Sequence, residues 1–338
     1  MRQDRQPVTI YEVADRAGVS IATVSRALRG SNLVALATRQ HVQEIAEELQ
    51  FRPNHLGRSL AEGQHAANGI VFPDLSGPYY AEVVLGYEEV AAELGRSVLI
   101  LATHDRPEPV AKVLDLARRV DGMAILGRTV DDAVVARIAD SGLPLVLLAR
   151  PPVCAVDTIM TDNDTSSQEL VRHLLGHGYR RLAYVGSHDE SPDVAGRYAA
   201  FRRSLEAAGL AVREPVDSAF NVAAGHAAAR RVLAGRRRPE AMVCANDEIA
   251  LGAREAAVEA GLAVPGDVAI TGWDDVMAAR YAGLTTVRQP MRTLGATAAT
   301  WLQERITRSD APVRREVLRT QLVIRSSCGF HEPVEVEE

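Results

Sequence analysis

From Thr9 to Leu49 the apolar positions recur at helical intervals. Val13, Val19, Val24 and Ala27 alternate with polar groups, and Val42, Ile45, Ala46 and Leu49 share one face of a later segment. Thr9, Ile10, Tyr11 and Glu12 have the S/T-x-x-E form of a capping box, and Gly18 suits the left-handed turn that ends a helix. Ser20 then caps a second helix running to about Leu28, with Gly30 as its stop; a third spans about 36–49. After Arg52 and Pro53, Asn54 can cap a short amphipathic segment, 55–61, that carries Leu56 and Leu60. It is too short to hold as a helix alone, and by composition it reads as a linker.

From Gly69 the period changes. Apolar runs at 70–72, 98–101, 123–126 and 145–148 read as buried strands, separated by helices near 80–93, 109–118 and 131–141. After Thr161 the rhythm restarts: strands at 182–185, 242–244, 268–270 and 285–287, helices near 166–177, 196–208, 223–234 and 249–260. Such alternation builds parallel sheets covered by helices on both faces, and two of them leave a cleft at the carboxyl ends of their strands.

Composition narrows the function classes. The 338 residues are 47% hydrophobic and 24% charged, enough to bury a core and remain in solution. No run of eighteen apolar residues occurs and the N-terminus has no apolar signal core, so a cytoplasmic protein is expected, without a membrane partner. Cys154, Cys244 and Cys328 form neither a disulfide framework nor a zinc spacing, and the nine histidines show no ligand spacing, so neither a metal nor a cofactor is expected. Net charge is −6 overall, but residues 1–61 hold eight arginines and six acids, a net +2, leaving −8 for the remainder. A basic head on an acidic body suits a nucleic-acid-binding module. Lys112 is the only lysine, which reads as codon composition, and the run Arg236, Arg237, Arg238 reads as a solvated loop.

The first two helices carry the most specific signal. Ala14, Gly18 and Val24 sit at the offsets of a helix-turn-helix, whose second helix enters the major groove. That helix opens with small or polar residues, Ser20, Ile21, Ala22, Thr23, Ser25 and Arg26, which suit close approach to base edges and phosphates. An ordinary helical hairpin with a solvated face is the bland alternative.

Residues 8–30 followed by 51–60 resemble the LacI/GalR family of bacterial transcription repressors, and the order of motifs continues almost to the C-terminus. The resemblance implies an α+β multidomain chain: an all-α, lambda repressor-like helix-turn-helix head with a hinge helix at about 54–61, within a DNA-binding domain 1–65, then a two-lobed α/β periplasmic-binding-protein-like sensor domain, 66–338. Lobe 1 would comprise about 66–161 and 292–321, and lobe 2 about 162–290 and 322–330. By the same resemblance Ile21, Ala22 and Arg26 read bases, while Thr9, Tyr11, Ser20, Thr23, Ser25 and Asn54 touch phosphates or the groove. Leu60 occupies the position of an apolar wedge that kinks the minor groove. The chain departs from the family pattern at Ala35-Leu36, Gln50 and Gly57, which implies a looser head.

The resemblance also implies an effector site between the lobes. Tyr79 and Tyr80 follow the first strand; packing of the lobe interface is their alternative role. Arg128 and Arg150 follow later strands. Asp193 and Arg197 lie one helical turn apart, and Phe220 stands where the family places a ring against the ligand. Asn246, Trp273 and Asp274 complete the set. Arg, Asn and Asp supply the paired donors and acceptors a polyol needs, and rings stack on its C–H faces. Asp247 and Asp275 read mainly as helix caps. Ala149 precedes Arg150 where the family often has Asp, and Ala200 replaces a usual Gly.

The expected function is therefore a sequence-specific transcription regulator, a repressor, binding pseudo-palindromic double-stranded operator DNA as a homodimer, with a sugar or sugar derivative as effector. The tail HEPVEVEE has no leucine heptads, so no tetramer-forming coiled coil is expected. A sugar-binding receptor without a regulatory role is the alternative; the helix-turn-helix and the missing signal peptide oppose it. An enzyme is a third class, which no nucleophile–base pair or metal set supports.

Overall fold

The computed structural model describes residues 8–28, 30–51, 65–189 and 191–329. The chain divides into two units, Met1–His65 and Ala66–Glu338.

In the first unit, helices α1 (Ile10–Ala17), α2 (Ile21–Leu28) and α3 (Leu36–Glu48) enclose a small core of Val13, Ala14, Ala17, Val24, Ala27, Val34, Val42, Ile45 and Ala46. The caps follow the residues. Thr9 N donates to Glu12 Oε2 at 2.6 Å, the reciprocal half of a capping box. Gly18, at φ 63°, turns the chain out of α1 while Val19 N returns to Ala14 O at 3.1 Å. Thr23 N donates to Ser20 Oγ at 3.2 Å to open α2. Helix α3 starts at Ala35 with no side-chain cap.

The second unit has two lobes. The first is a six-stranded parallel sheet in the order β10-β5-β4-β3-β1-β2, built from β1 (Ala67–Phe72), β2 (Ser97–Ala102), β3 (Gly122–Leu126), β4 (Leu145–Leu148), β5 (Asp157–Thr161) and β10 (Arg315–Leu318). Helices α4 (Pro78–Glu93), α5 (Pro109–Ala117), α6 (Asp132–Asp140) and α12 (Met291–Thr307) belong with it. The second lobe centres on a three-stranded parallel sheet, β6 (Leu182–Val185), β7 (Ala241–Cys244) and β8 (Ala269–Thr271), with β9 (Thr286–Arg288) paired antiparallel to β11 (Gln321–Val323). Around it lie α7 (Thr165–Gly176), α8 (Pro192–Ala207), α9 (Val222–Leu233), α10 (Asp247–Glu259) and α11 (Met277–Tyr281).

Two close helix pairs set the lobes' outer layers. A Cβ on Gly86 would strike the backbone carbonyl of Arg292, which packs α4 on α12. One on Gly252 would strike the carbonyl of Val222 and stand 2.6 Å from His226 N, which packs α9 on α10. Only glycine permits such approach.

Five elements escape the apolar pattern: β5, β10, β11, α11 and α12. Strand β5 begins with Asp157, whose carboxylate is fully buried yet takes Arg305 Nη2 at 2.7 Å, Arg314 Nη2 at 3.0 Å and Arg314 N at 2.8 Å. A buried charge is tolerable when so paired. These ties bind β5 to α12 and to the segment entering β10, and Arg314 also stacks at 4.4 Å over Trp301. Strand β10 is a polar sheet edge, largely exposed, which no apolar alternation marks. Helix α8 starts at Pro192 rather than Gly196, because Pro fits the first helical turn.

Candidate functional site

The expected groove-contact residues of the head lie at exposed or half-buried positions. Tyr11 is 68% exposed and Ile21 39%; Thr9, Ser20, Ala22 and Arg26 are exposed, with Thr23 and Ser25 half-buried. Val24 and Ala27 on the opposite side are fully buried. Ser20 Oγ lies 2.9 Å from Thr23 Oγ1, so the capping hydroxyl also orients a groove candidate. Asn54 and Leu60, with the expected hinge helix, lie outside the described residues.

The cleft between the lobes is built from strand ends and helix starts. Tyr79 and Tyr80 occupy the first turn of α4, their rings edge to face at 5.4 Å, and Tyr80 meets Phe72 likewise at 5.6 Å. Asp74 holds the preceding loop through Leu75 N at 2.6 Å and Ser76 N at 3.1 Å. A Cβ at Gly77 would stand 2.6 Å from Glu248 Oε2, so α10 of the second lobe reaches the first across the cleft.

On the second lobe, Asp193 and Arg197 project from the first turns of α8 and are held by Asn163, which the sequence reading missed. Asn163 Nδ2 donates to Asp193 Oδ1 at 2.9 Å, and Arg197 Nε donates to Asn163 Oδ1 at 2.8 Å. Arg197 Nη1 donates to Ala245 O at 2.8 Å, and its guanidinium lies 4.4 Å above the Trp273 ring. Asp274 follows β8 at φ 115° and Asp275 at 59°, successive left-handed conformations costing about 1–3 kcal/mol each. Asp274 N donates to Val287 O at 2.8 Å, and Gln289 Nε2 to Asp274 Oδ1 at 2.6 Å; Thr161 Oγ1 donates to Gln289 Oε1 at 2.8 Å. The strain thus sits where the chain crosses between lobes, a place that apolar periodicity does not reveal.

Electrostatics join the two walls. Burial raises the Tyr79 hydroxyl well above its ordinary range; the Asp193 and Asp274 charges add to this and Arg197 opposes it. Burial pushes Asp274 up to about 7 against the pull of Arg197, and lifts Asp193 against Arg197 and Asn163. Glu248 is also raised, by burial and then by Asp74. Tyr79, Asp193, Arg197 and Asp274 therefore converge, and carboxyls outnumber the single guanidinium.

Other expected contacts are placed differently. Arg150 is fully buried and commits its fork to Gly127 O and Val130 O, both at 3.1 Å, and to Asp132 Oδ1 at 2.5 Å. It ties down the β3–α6 loop instead of facing a ligand. Trp273 is 2% exposed within the second-lobe core, where it serves as the platform under Arg197. Arg128 is exposed in the β3–α6 loop. Phe220 is half-buried against the second-lobe core in the segment before α9. Asn246 caps α10 through Ile249 N at 2.9 Å, so its Oδ1 is committed to the helix.

The two aspartates expected as caps do other work. Asp247 Oδ2 accepts from Val276 N at 2.9 Å and Oδ1 from Thr286 Oγ1 at 2.6 Å, bracing the Asp274 loop from beneath. Asp275 is clamped between Arg288 Nε at 2.7 Å and Arg325 Nη2 at 2.6 Å. Tertiary neighbours, not helix starts, claim both carboxylates.

Residues 9–54 match the model of bacterial regulatory proteins of the lacI family, and 171–328 match a periplasmic binding protein-like domain. The chain is 33% identical to the transcriptional repressor PurR of Erwinia tasmaniensis over 308 residues, 88% of this chain and 90% of that protein. It belongs to the LacI family. Catabolite control protein A of Priestia megaterium is 31% identical, over 86% of this chain and 90% of its own length. Among solved structures, this LacI-family chain is similar to the lac repressor dimer bound to operator and the anti-inducer ONPF. That likeness has TM-score 0.85 and 27% identity, and covers 96% of this chain and all of that one. It is likewise similar to a CelR–cellobiose complex, with TM-score 0.71 and 30% identity over 95% and 99% of the two chains. The protein is a DNA-binding transcriptional repressor and not an enzyme. Its fold is a helix-turn-helix head followed by a periplasmic-binding-protein-like body. No helix among the described residues is long and apolar enough to cross a membrane.

Proposed function

We propose that this repressor works in the cytoplasm as a homodimer whose operator affinity is set by a neutral, hydroxyl-rich effector, a sugar or sugar derivative, held between the lobes. The observation that carries this reading is the set in which Asn163 joins Asp193 to Arg197, with Arg197 stacked on Trp273 beside Asp274, and whose charges act on Tyr79 of the first lobe. Two carboxyls, Asp193 and Asp274, beside one guanidinium favour a ligand that donates hydrogen bonds and disfavour an anion. Tyr79 and Tyr80 offer faces for the C–H surface of a pyranose. The similar CelR structure holds cellobiose.

Dimerisation is supported by apolar groups that one chain leaves bare: Leu99 and Ile100 on edge strand β2, Met277 at 72% and Tyr281 at 83% exposure on α11. Two heads related by a two-fold axis read an inverted repeat. The residues proposed to do so are Thr9, Tyr11, Ser20, Ile21, Ala22, Thr23, Ser25 and Arg26. Asn54 and Leu60 join them on the sequence resemblance alone. An effector that favours one arrangement of the lobes by about 1–3 kcal/mol changes operator affinity about 5–150-fold.

The test selects DNA fragments with the purified full-length protein, then repeats the binding with a panel of neutral sugars and sugar phosphates. A symmetrical site whose occupancy responds to a neutral sugar supports the reading. Response to sugar phosphates alone, or a monomer that ignores every inverted repeat, overturns it.

A further inference from the structure

Far from the cleft, at the C-terminal end of α7, three metal-ligating side chains meet. His173 and His177 lie one helical turn apart, so they share a face. Cys328, on a short 3-10 turn (Ser326–Cys328), is brought against them from 155 positions beyond His173. The ligating atoms of all three lie within 4.8 Å of one another, the only such group of three His, Cys, Asp or Glu side chains among the described residues. His173 Nε2 is 3.2 Å from Cys328 Sγ. Metal–ligand bonds of about 2.0–2.3 Å in a tetrahedral zinc site separate neighbouring donors by roughly 3.3–3.6 Å. One pair therefore already stands near that spacing, and a side-chain adjustment of about 1 Å brings in the third.

The surroundings hold the sulfur in place. Thr285 Oγ1 lies 2.9 Å from Cys328 Sγ, and Tyr179 Oη donates to Cys328 O at 3.1 Å. The neighbouring Ser327 hydroxyl donates to Ile270 O at 2.6 Å and accepts from Thr285 N at 2.8 Å, which anchors the turn to β8. Gly329, at φ 142°, passes so close to His177 that a Cβ would stand 2.8 Å from its ring. His177 is exposed, His173 half-buried and Cys328 buried, so the donors run from solvent inward.

We propose that His173, His177 and Cys328 form a binding site for a borderline-soft divalent cation, Zn²⁺, which cross-links the C-terminal segment to α7 within the second lobe. Two imidazoles and a thiolate suit zinc and disfavour Mg²⁺ or Ca²⁺, which take oxygen ligands. On binding, the Cys328 proton passes to solvent and the sulfur ligates as thiolate. A fourth position is left for water. Along the chain His173 and His177 do have the four-residue spacing of a helical zinc pair, but their third donor, Cys328, lies 155 positions beyond His173 and only the fold brings it in.

The test uses the full-length chain carrying Cys154→Ser, since Cys154 is an exposed competing thiol. After treatment with a chelator, the protein is titrated with Co²⁺ and then displaced with Zn²⁺. The expected result is one ion per chain, with a thiolate-to-cobalt charge-transfer band that Cys328→Ser abolishes. His177→Ala, at an exposed position that leaves folding intact, weakens zinc affinity at least about tenfold, the loss typical of disturbing even outer-shell partners. No thiolate band in the parent, or equal zinc affinity in the parent and His177→Ala, overturns the site.

Discussion

Replacing Asp274 with Asn removes a charge while keeping the shape of its surroundings. The side-chain oxygen still accepts from Gln289 Nε2, and Asn tolerates the positive φ that Asp274 adopts. Burial holds the Asp274 carboxyl at about 7 against an ordinary 3.8. Each tenfold difference in proton affinity is worth about 1.4 kcal/mol, so the ionised carboxylate costs the folded state about 4 kcal/mol at alkaline pH. The folded chain binds this proton more tightly than the unfolded one. Stability contributed by the group is therefore greatest below pH 3.8 and declines as pH rises to about 7. Asp274→Asn escapes that decline. It should be more stable than the parent by about 4 kcal/mol at pH 8 and by about 2 kcal/mol at pH 5.5. Urea unfolding at both pH values measures this, read by Trp273 fluorescence in a Trp301→Phe background, since the chain has two tryptophans. Asp193 titrates in both proteins, whereas Asp247, raised by burial and then by the Asp274 charge, ionises more easily in the variant, which adds to its advantage at pH 8. A variant less stable than the parent at pH 8, or an advantage that does not shrink on acidification, would refute the reasoning.

Gly252→Ala forces a methyl into the Val222 carbonyl, and backbone on both sides cannot yield; a loss of about 2–3 kcal/mol is expected in urea denaturation, with operator contacts in the head untouched. Arg26→Ala removes an exposed side chain from the proposed reading face, so it should cost about 1–3 kcal/mol in specific binding and leave thermal unfolding unchanged; equal loss on random DNA would assign Arg26 to phosphate contact alone.

Local chemistry was enough to locate the head. Thr9 with Glu12, Gly18 and Ser20 are signals whose hydrogen-bonding partners lie within a few residues, so the sequence states both question and answer. The buried strands β1, β3, β4, β6 and β7 were equally legible, because strands covered on both faces must be apolar throughout. Strands β5 and β10 were not, since the Asp157 charge is acceptable only once Arg305 and Arg314 arrive from about 150 residues away.

The candidate cleft divides along the same line. Residue type and family resemblance chose Asp193, Arg197 and Asp274, but could not separate ligand-facing groups from their supports. Arg150 and Trp273 share the chemistry of binding residues, and the fold spends one on a loop and the other on a platform for Arg197. Asn163 and Gln289 lie in stretches without apolar periodicity, yet they fix the orientation of the acids. What the sequence by itself determined was the apolar strands, the helices between them and the DNA-binding head, whose hydrogen bonds close within a turn or two of helix. Which polar groups face a ligand, and how burial shifts their protons, depends on distances between segments far apart in the chain, and only the tertiary structure decides those.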